Sequence, residues 1–160
     1  MSLRLVRIDD RLIHGQVVAV WLKALEARRI VIVDDATARD EYLAEILTLA
    51  SPPGIPVEVL GLAQGAARCL ELAAAPEPVF VLARSPRTVL ALKQAGVPID
   101  VVDLGGLGAG PGRRRLHKTI SVSPEELSEL RELEKLGTRV QIQIVADDRP
   151  IPFRSLDPGA

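Results

Sequence analysis

Residues 3–17 read LRLVRIDDRLIHGQV, and this stretch decides the predicted fold. The apolar run from Leu3 to Ile8 predicts a buried strand, and apolar residues at helical spacing from Gln16 onward predict a helix. In an open parallel sheet, the turn between such a strand and helix lies at the carboxyl ends of the strands, where these folds bind ligands. The free N–H groups and positive dipole end of the first helical turn suit an anion.

The rest of the chain alternates predicted strands with predicted helices. After the first strand, further strands are predicted at 30–33, 56–60, 79–83, 99–104, 116–122 and around 140–144. Helices are predicted after a capping arrangement at Thr37 and Asp40, over 62–74, from Ser85-Pro86 to Gly96, and from a Ser123–Glu126 capping box to Gly137. Residues 105–112 are expected to form a flexible loop, and the tail after about residue 147 to be irregular.

This alternation predicts an α/β fold with residues 1–160 as a single domain. We expect an open, mostly parallel sheet of about six to seven strands with helices on both faces.

Composition excludes several classes of function. The 160 residues carry a net charge of −1 and include only four Phe, Trp and Tyr side chains in total, which argues against a nucleic-acid binder. A single cysteine, Cys69, excludes an intramolecular disulfide and a zinc site built on paired cysteines. No secretory signal and no run of about 18 apolar residues is present, so a cytoplasmic location is expected. No metal and no bound organic cofactor is predicted.

His14 is the sharpest candidate for chemistry. A neutral imidazole is a good nucleophile, and at a helix start it can attack a phosphoryl group that the helix N–H groups then hold. Arg11 offers a fork of donors that matches phosphate oxygens, and Gly15 leaves room for a bulky anion. Asp9 and Asp10 can orient the imidazole or the guanidinium. The alternative is a surface histidine in a loop whose charges pair among themselves.

Other residues are weaker candidates. Gly15 and Gln16 at the helix start are expected to contact phosphate, as are Arg84 and Ser85, which follow the fourth strand at the same sheet edge; a helix cap alone would also explain Ser85. Glycines 105–112 and the arginines 113–115 suit a second anion site, a mobile solvated loop, or a surface that attracts an acidic partner. Asp34-Asp35 is interpreted as a polar loop near the site or a helix entry. Three further residues have ordinary explanations: packing for Trp21, an inert thiol for Cys69 and a solvated side chain for His117.

Residues 6–17, VRIDDRLIHGQV, with Trp21 after them, resemble the IIB component of the mannose/fructose/sorbose family of the bacterial phosphotransferase system. Other stretches resemble that family in the expected order along nearly the whole chain. They are VIVDD at 31–35, ASPPG at 50–54, GG at 105–106 and TISV at 119–122.

The resemblance implies that His14 is phosphorylated, on Nδ1. His14 would accept the phosphoryl group from a IIA component and pass it to a sugar bound by the membrane components IIC and IID, through which alone the protein would meet the membrane. The active-site loop maps onto residues 9–16, where Arg11 assists the phosphoryl group and Asp10 belongs to the catalytic set. The family fold is an open, largely parallel sheet, and a stand-alone IIB domain without a fused IIA domain is implied.

Two departures from the family pattern leave the sugar open. Asp103-Leu104 precedes Gly105-Gly106 where many relatives have asparagine, and the fourth strand ends in Ala83-Arg84 without an aromatic residue. A regulatory phospho-relay, in which phosphorylation of His14 reports phosphotransferase flux to a partner without sugar transport, is the alternative function. A nucleotide-binding α/β protein is a third hypothesis, which the missing glycine fingerprints disfavour.

Overall fold

The computed structural model describes residues 2–159, apart from the side chain of Gln16. The strands are β1 (Leu3–Asp9), β2 (Arg29–Val33), β3 (Val57–Leu60), β4 (Val79–Ala83), β5 (Val101–Gly106), β6 (Arg114–His117), β7 (Ile120–Val122), β8 (Arg139–Ile142) and β9 (Ile151–Pro152). The helices are α1 (Gly15–Leu25), α2 (Asp35–Arg39), α3 (Glu41–Ala50), α4 (Leu62–Ala74), α5 (Pro86–Gln94) and α6 (Pro124–Lys135), with a short 3₁₀ turn at Phe153–Ser155.

The described strands form an open sheet in the order β3-β2-β4-β1-β5-β8-β9 and a separate pair, β6-β7. Each pairing from β3 to β8 is parallel, and only the edge strand β9 runs antiparallel to its neighbour. The prediction of an open, mostly parallel α/β sheet is therefore confirmed. Strand β1 lies near the middle, between β4 and β5, so its carboxyl end is flanked by two others.

Helices cover both faces of the sheet, as predicted. Strand residues of alternating direction belong to two separate apolar cores, because successive side chains of a strand point to opposite faces. Side chains of α1 and α3 pack into one core, and those of α4, α5 and α6 into the other. Trp21 is buried in the first core, with its ring centroid 6.3 Å from that of Phe80, as expected for a packing residue. Cys69 is buried in the second core, as expected for an inert thiol.

Helix starts follow the predicted side-chain caps in α5 and α6 but not in the second helical segment. Ser85 accepts a hydrogen bond from the N–H of Thr88, and Ser123 forms a full capping box with Glu126. The predicted cap at Thr37 is wrong. Thr37 is buried inside α2, which Asp34 caps, and Asp40 then caps a second helix, α3. The helix is broken at Asp40, whose extended backbone ends α2 and whose side chain caps the start of α3.

Three further segments differ from the sequence-based expectation. The strand predicted over 116–122 is a hairpin of β6 and β7, because Lys118 takes a left-handed conformation (φ 48°) and reverses the chain. Gly105 and Gly106 belong to β5 and not to a flexible loop. The tail expected to be irregular adds β9 to the edge of β8, and Phe153 after it is buried.

Over residues 2–159, no helix is long and apolar enough to cross a membrane.

Candidate functional site

The site lies in the loop between β1 and α1, which two buried apolar side chains fix to the protein. Leu12 and Ile13 pack into the core beneath α1, and the N–H of Leu12 donates to the carbonyl oxygen of Asp9 at 3.0 Å. Leu12 has a left-handed backbone (φ 56°), which turns the chain sharply after β1. His14 is consequently placed directly before the first turn of α1.

His14 is held by Asp9. Its Nε2 lies 2.9 Å from Oδ2 of Asp9, and 19% of the histidine side chain is exposed. A carboxylate only accepts hydrogen bonds, so this geometry assigns the ring proton to Nε2. In the described part of the chain, no hydrogen bond involves Nδ1 of His14, and the lone pair of that nitrogen is left for an incoming group.

The first turn of α1 leaves its backbone donors without a side-chain cap in the described structure. Gly15 is exposed and left-handed (φ 51°), and a Cβ built there would meet no atom within 4 Å. The space beside His14 is therefore open and faces helix N–H groups, an arrangement that suits a phosphoryl group.

Asp9 is itself buried and held at both oxygens. Its Oδ1 accepts from the backbone N–H of Arg11 at 3.0 Å, and Oδ2 accepts from Nη2 of Arg7 at 3.2 Å. The Arg11 side chain is 59% exposed, with Nε 3.6 Å from Asp9 Oδ1. Its guanidinium is thus anchored at the loop yet accessible to a ligand or partner.

Arg7 lies beneath Asp9 with only 2% of its surface exposed. Its Nη1 donates to Asp103 Oδ2 at 2.5 Å and to the carbonyl oxygen of Gln143 at 2.8 Å, while Nη2 also donates to the carbonyl oxygen of Ile144 at 2.8 Å. The guanidinium carbon lies 5.1 Å from the ring centroid of Trp21. Strands β1 and β5 and the residues directly after β8 therefore meet at one buried guanidinium.

Asp103 is the second carboxylate of this network. Burial raises its pKa to about 7, against the opposing effect of the Arg7 charge and hydrogen bond. Among the described side chains, Oδ1 of Asp103 has no hydrogen-bond partner, which is consistent with a costly desolvation.

Gly105 and Gly106 make room for the network. A Cβ on Gly105 would lie 2.0 Å from Cζ of Arg7, and one on Gly106 would lie 2.5 Å from Oδ1 of Asp9. The Gly-Gly pair is required because the buried side chains of β1 lie directly against the backbone of β5.

Asp10 points to a different part of the structure from Asp9. Its Oδ2 accepts from the N–H of Gly108 at 2.9 Å and lies 3.9 Å from Nη1 of Arg113. Arg113 in turn forms two hydrogen bonds to Glu126 at 3.0 Å, and its Nη1 donates to the carbonyl oxygen of Gly108 at 2.8 Å. The loop expected to be mobile is therefore tied to both the site and α6, whereas Arg114 and Arg115 are exposed.

The remaining predicted site residues make no described contact with His14. Arg84 is exposed after β4, the neighbour of β1, and the hydroxyl of Ser85 caps α5. The backbone of Gln16 lies in the first turn of α1, and its side chain is outside the described part of the structure. Asp34-Asp35 is a helix entry, since Asp34 caps α2. Across the described residues, no group of His, Cys, Asp and Glu side chains is placed to hold a metal ion.

Sequence reasoning missed Arg7 and Asp103 as parts of the site. The available signal was a basic residue inside one apolar strand and an acidic residue inside another, since unpaired charges are rarely buried. Their partnership depends on the register that sets Arg7 opposite Asp103, which the sequence does not contain.

Comparisons with known proteins identify the family of the chain. The family model described as "PTS system sorbose subfamily IIB component" matches residues 3–156. A sorbose-specific EIIB component of Klebsiella pneumoniae is 40% identical over 148 residues, which cover 92% of this chain and 90% of the relative. The mannose-specific EIIAB component of Escherichia coli (strain K12) is 31% identical, with 98% of this chain covering 48% of that longer protein.

Solved structures agree as well. The crystal structure of the IIBSor domain of the sorbose permease from Klebsiella pneumoniae superposes with a TM-score of 0.89 at 39% identity, covering 94% of this chain and 93% of that one. The chain therefore belongs to the sorbose subfamily of phosphotransferase-system IIB components, the phosphoryl-accepting subunits of sugar phosphotransferase systems.

Proposed function

We propose that His14 is the residue that carries the phosphoryl group, on Nδ1. The observation that supports this is the hydrogen bond between Nε2 of His14 and Asp9, because it occupies one ring nitrogen and leaves the other as the nucleophile. During transfer the Nδ1–P bond forms while the bond from phosphorus to the donor nitrogen breaks, and the donor keeps that electron pair. The proton on Nε2 stays in place, and the carboxylate of Asp9 balances the positive charge of the phosphorylated ring.

The open helix start and Arg11 would hold the transferred group. The first-turn N–H groups of α1, at Gly15 and Gln16, have space for the phosphoryl oxygens beside them, and the exposed guanidinium of Arg11 offers a fork of donors. Asp10 acts indirectly by fixing the loop around Gly108. Arg84 and Ser85 stay predicted phosphate contacts at the same sheet edge.

The partners follow from the family. We infer that a IIA component donates the phosphoryl group and that a sugar bound by membrane components IIC and IID receives it, which would place the protein at the cytoplasmic face of the membrane. One relative is named as an EIIAB component, so IIA and IIB share one chain in that protein. Two relatives are named as sorbose-specific, which makes sorbose the first sugar to test.

The test is intact mass after incubation with phosphoenolpyruvate, the general phosphotransferase proteins and a cognate IIA. The chain has two histidines, so His117→Ala is the matched control for His14→Ala. We expect one acid-labile phosphoryl group on the wild type and on His117→Ala, and none on His14→Ala. Circular dichroism should show an unchanged fold for His14→Ala, and a phosphorylated His14→Ala protein would refute the proposal.

Arg11→Lys separates loop geometry from charge. We expect phosphoryl acceptance about tenfold slower, because one ammonium does not replace a bidentate fork, with the mass of the product unchanged. Adding membranes that contain IIC and IID then tests delivery. Phosphate on His14 that never reaches a sugar would favour the regulatory alternative.

A further inference from the structure

The buried network around Arg7 extends beyond what phosphoryl transfer by a partly exposed histidine needs. We propose that Arg7 is a positioning residue for His14: it fixes the carboxylate of Asp9 so that Asp9 keeps hold of Nε2 and only Nδ1 is offered to the phosphoryl donor. This inference rests on the proposed role of His14. It assigns to Arg7 the choice between the two ring nitrogens.

A contribution to the stability of the fold does not by itself explain this buried network. Replacing a buried ion pair by apolar residues of similar size is often neutral or stabilising, whereas breaking one is costly. Arg7 is a charged residue among the buried side chains of β1, and Gly105 and Gly106 have no side chains where Arg7 and Asp9 lie against them. Arg7 on β1 and Gly105 and Gly106 on β5 thus form a polar arrangement that apolar packing could replace.

The guanidinium is held rigidly. Each terminal nitrogen of Arg7 donates two hydrogen bonds, and two of the four acceptors are the backbone carbonyls of Gln143 and Ile144, which cannot rotate as side chains do. Asp103 supplies the third acceptor and Asp9 the fourth. Three of the four acceptors of Arg7 therefore lie on β5 or directly after β8, outside the active-site loop.

The fixed guanidinium of Arg7 is linked to the imidazole of His14 through a single atom, Oδ2 of Asp9. Oδ2 of Asp9 accepts from Arg7 at 3.2 Å and from His14 at 2.9 Å. Without Arg7, the backbone N–H of Arg11 would be the remaining close donor to this carboxylate, apart from His14 itself, among the described residues. The carboxylate could then rotate, and the imidazole could turn over or change tautomer, because neither ring nitrogen would have a fixed acceptor.

The experiment measures which ring nitrogen is used. The tautomer of His14 is read by ¹⁵N NMR on the free protein, and the phosphohistidine isomer by ³¹P and ¹⁵N NMR after reaction with phosphoramidate, a small donor that needs no docking partner. The variants are Arg7→Lys, which keeps the charge and loses the fork, and Asp103→Asn, which keeps an acceptor oxygen and loses the charge. Arg29→Lys is the matched control, since Arg29 also pairs with two carboxylates, Glu58 and Glu77, but on β2.

We expect the wild type and Arg29→Lys to show the Nε2–H tautomer and phosphate on Nδ1 alone. Arg7→Lys should show mixed tautomers, phosphate on both nitrogens and acceptance at least about tenfold slower. Asp103→Asn should show the same changes in tautomer, isomer and rate relative to the wild type, but to a smaller extent. A merely structural role of Arg7 would lower stability without moving the tautomer or the isomer.

A folded Arg7→Lys protein with the wild-type tautomer and isomer would overturn the inference. If Arg7→Lys does not fold, an unchanged tautomer and isomer in Asp103→Asn overturns it instead. Failure of the proposed function is distinguishable, because it would appear as a wild-type protein without phosphate on His14, while the tautomer comparison on the free proteins would still decide the role of Arg7.

Discussion

Gly106 lies against the carboxylate of Asp9 with no room for a side chain. The same carboxylate accepts a hydrogen bond from His14. The absence of a Cβ at Gly106 in β5 therefore helps to set the position of the His14 imidazole in the neighbouring loop. At this scale the site depends on contacts of single atoms across β1 and β5.

Gly106→Ala should therefore impair both stability and transfer. Its Cβ would lie 2.5 Å from Oδ1 of Asp9, and a buried carboxylate cannot move away freely. We expect a loss of about 1–3 kcal/mol in the free energy of unfolding and slower phosphoryl acceptance. Gly108→Ala is the control, since its Cβ would lie at an ordinary 3.5 Å from Asp10. Urea denaturation and intact-mass kinetics would measure both effects, and equal behaviour of the two variants would contradict this explanation.

Asp103 makes stability depend on pH. Its pKa is raised by burial from 3.8 to about 7, so the native protein takes up a proton that the unfolded chain does not hold between these values. The contribution of Asp103 is fully present below the lower pKa and is lost as pH rises through the higher one. We expect the stability difference between wild type and Asp103→Asn to fall as pH increases from about 4 to about 7. Urea denaturation across this range would measure it, and a pH-independent difference would contradict the assignment.

At the scale of elements, the helix starts divide into capped and open ones. N-cap side chains cap α2, α3, α5 and α6, and the first N–H of α4, at Leu62, donates to the carboxylate of Asp35. Helix α1, which follows His14, has no side-chain cap in the described structure. A cap contributes stability, and an open helix start leaves donors for a ligand. The division matches the proposed role of α1 in holding a phosphoryl group.

Ser85→Ala tests whether a cap also binds phosphate. The Ser85 hydroxyl accepts from the N–H of Thr88 at 3.3 Å, so its removal should cost about 1 kcal/mol of unfolding free energy. Ser123→Ala, in the capping box of α6, is the matched control. We expect similar stability losses in both variants, and slower phosphoryl acceptance in Ser85→Ala alone if its hydroxyl also contacts phosphate as predicted. Unchanged acceptance in Ser85→Ala would restrict Ser85 to its role as a helix cap.

For the whole molecule, the end of the chain completes the sheet. Strand β9 pairs with β8, whose following residues supply two carbonyls to Arg7, and the 3₁₀ turn after it buries Phe153 with 1% of its surface exposed. Residues distant in sequence from His14 therefore stabilise the segment after β8 that holds Arg7, which lies beneath Asp9.

Phe153→Ala should destabilise the protein by about 3–5 kcal/mol, because a large buried ring leaves a cavity. Tyr42→Ala is the matched control, an aromatic side chain that is 76% exposed on α3. We expect the control to change the free energy of unfolding by less than about 0.5 kcal/mol. Thermal and urea denaturation would measure both, and a small effect of Phe153→Ala would indicate that the tail is not part of the core.

The sequence by itself determined the α/β class, the parallel sheet and the loop around His14. These are local properties, since strand and helix periodicity, capping residues and one continuous motif are all read from neighbours in the chain. It did not determine the hairpin at 114–122, the split between α2 and α3, or the edge strand formed by the tail. Each of these depends on a turn conformation or a pairing that competes with an equally plausible local pattern.

Only the tertiary structure decided which acid serves His14 and what holds that acid. Asp9 and Asp10 are equivalent as a pair in the sequence, but the end of β1 buries Asp9 beside Nε2 and turns Asp10 toward Gly108. Arg7 and Asp103 are 96 residues apart and meet because β1 and β5 are paired in register. Sheet pairing brings such distant charges together, and the chain carries no local record of that pairing.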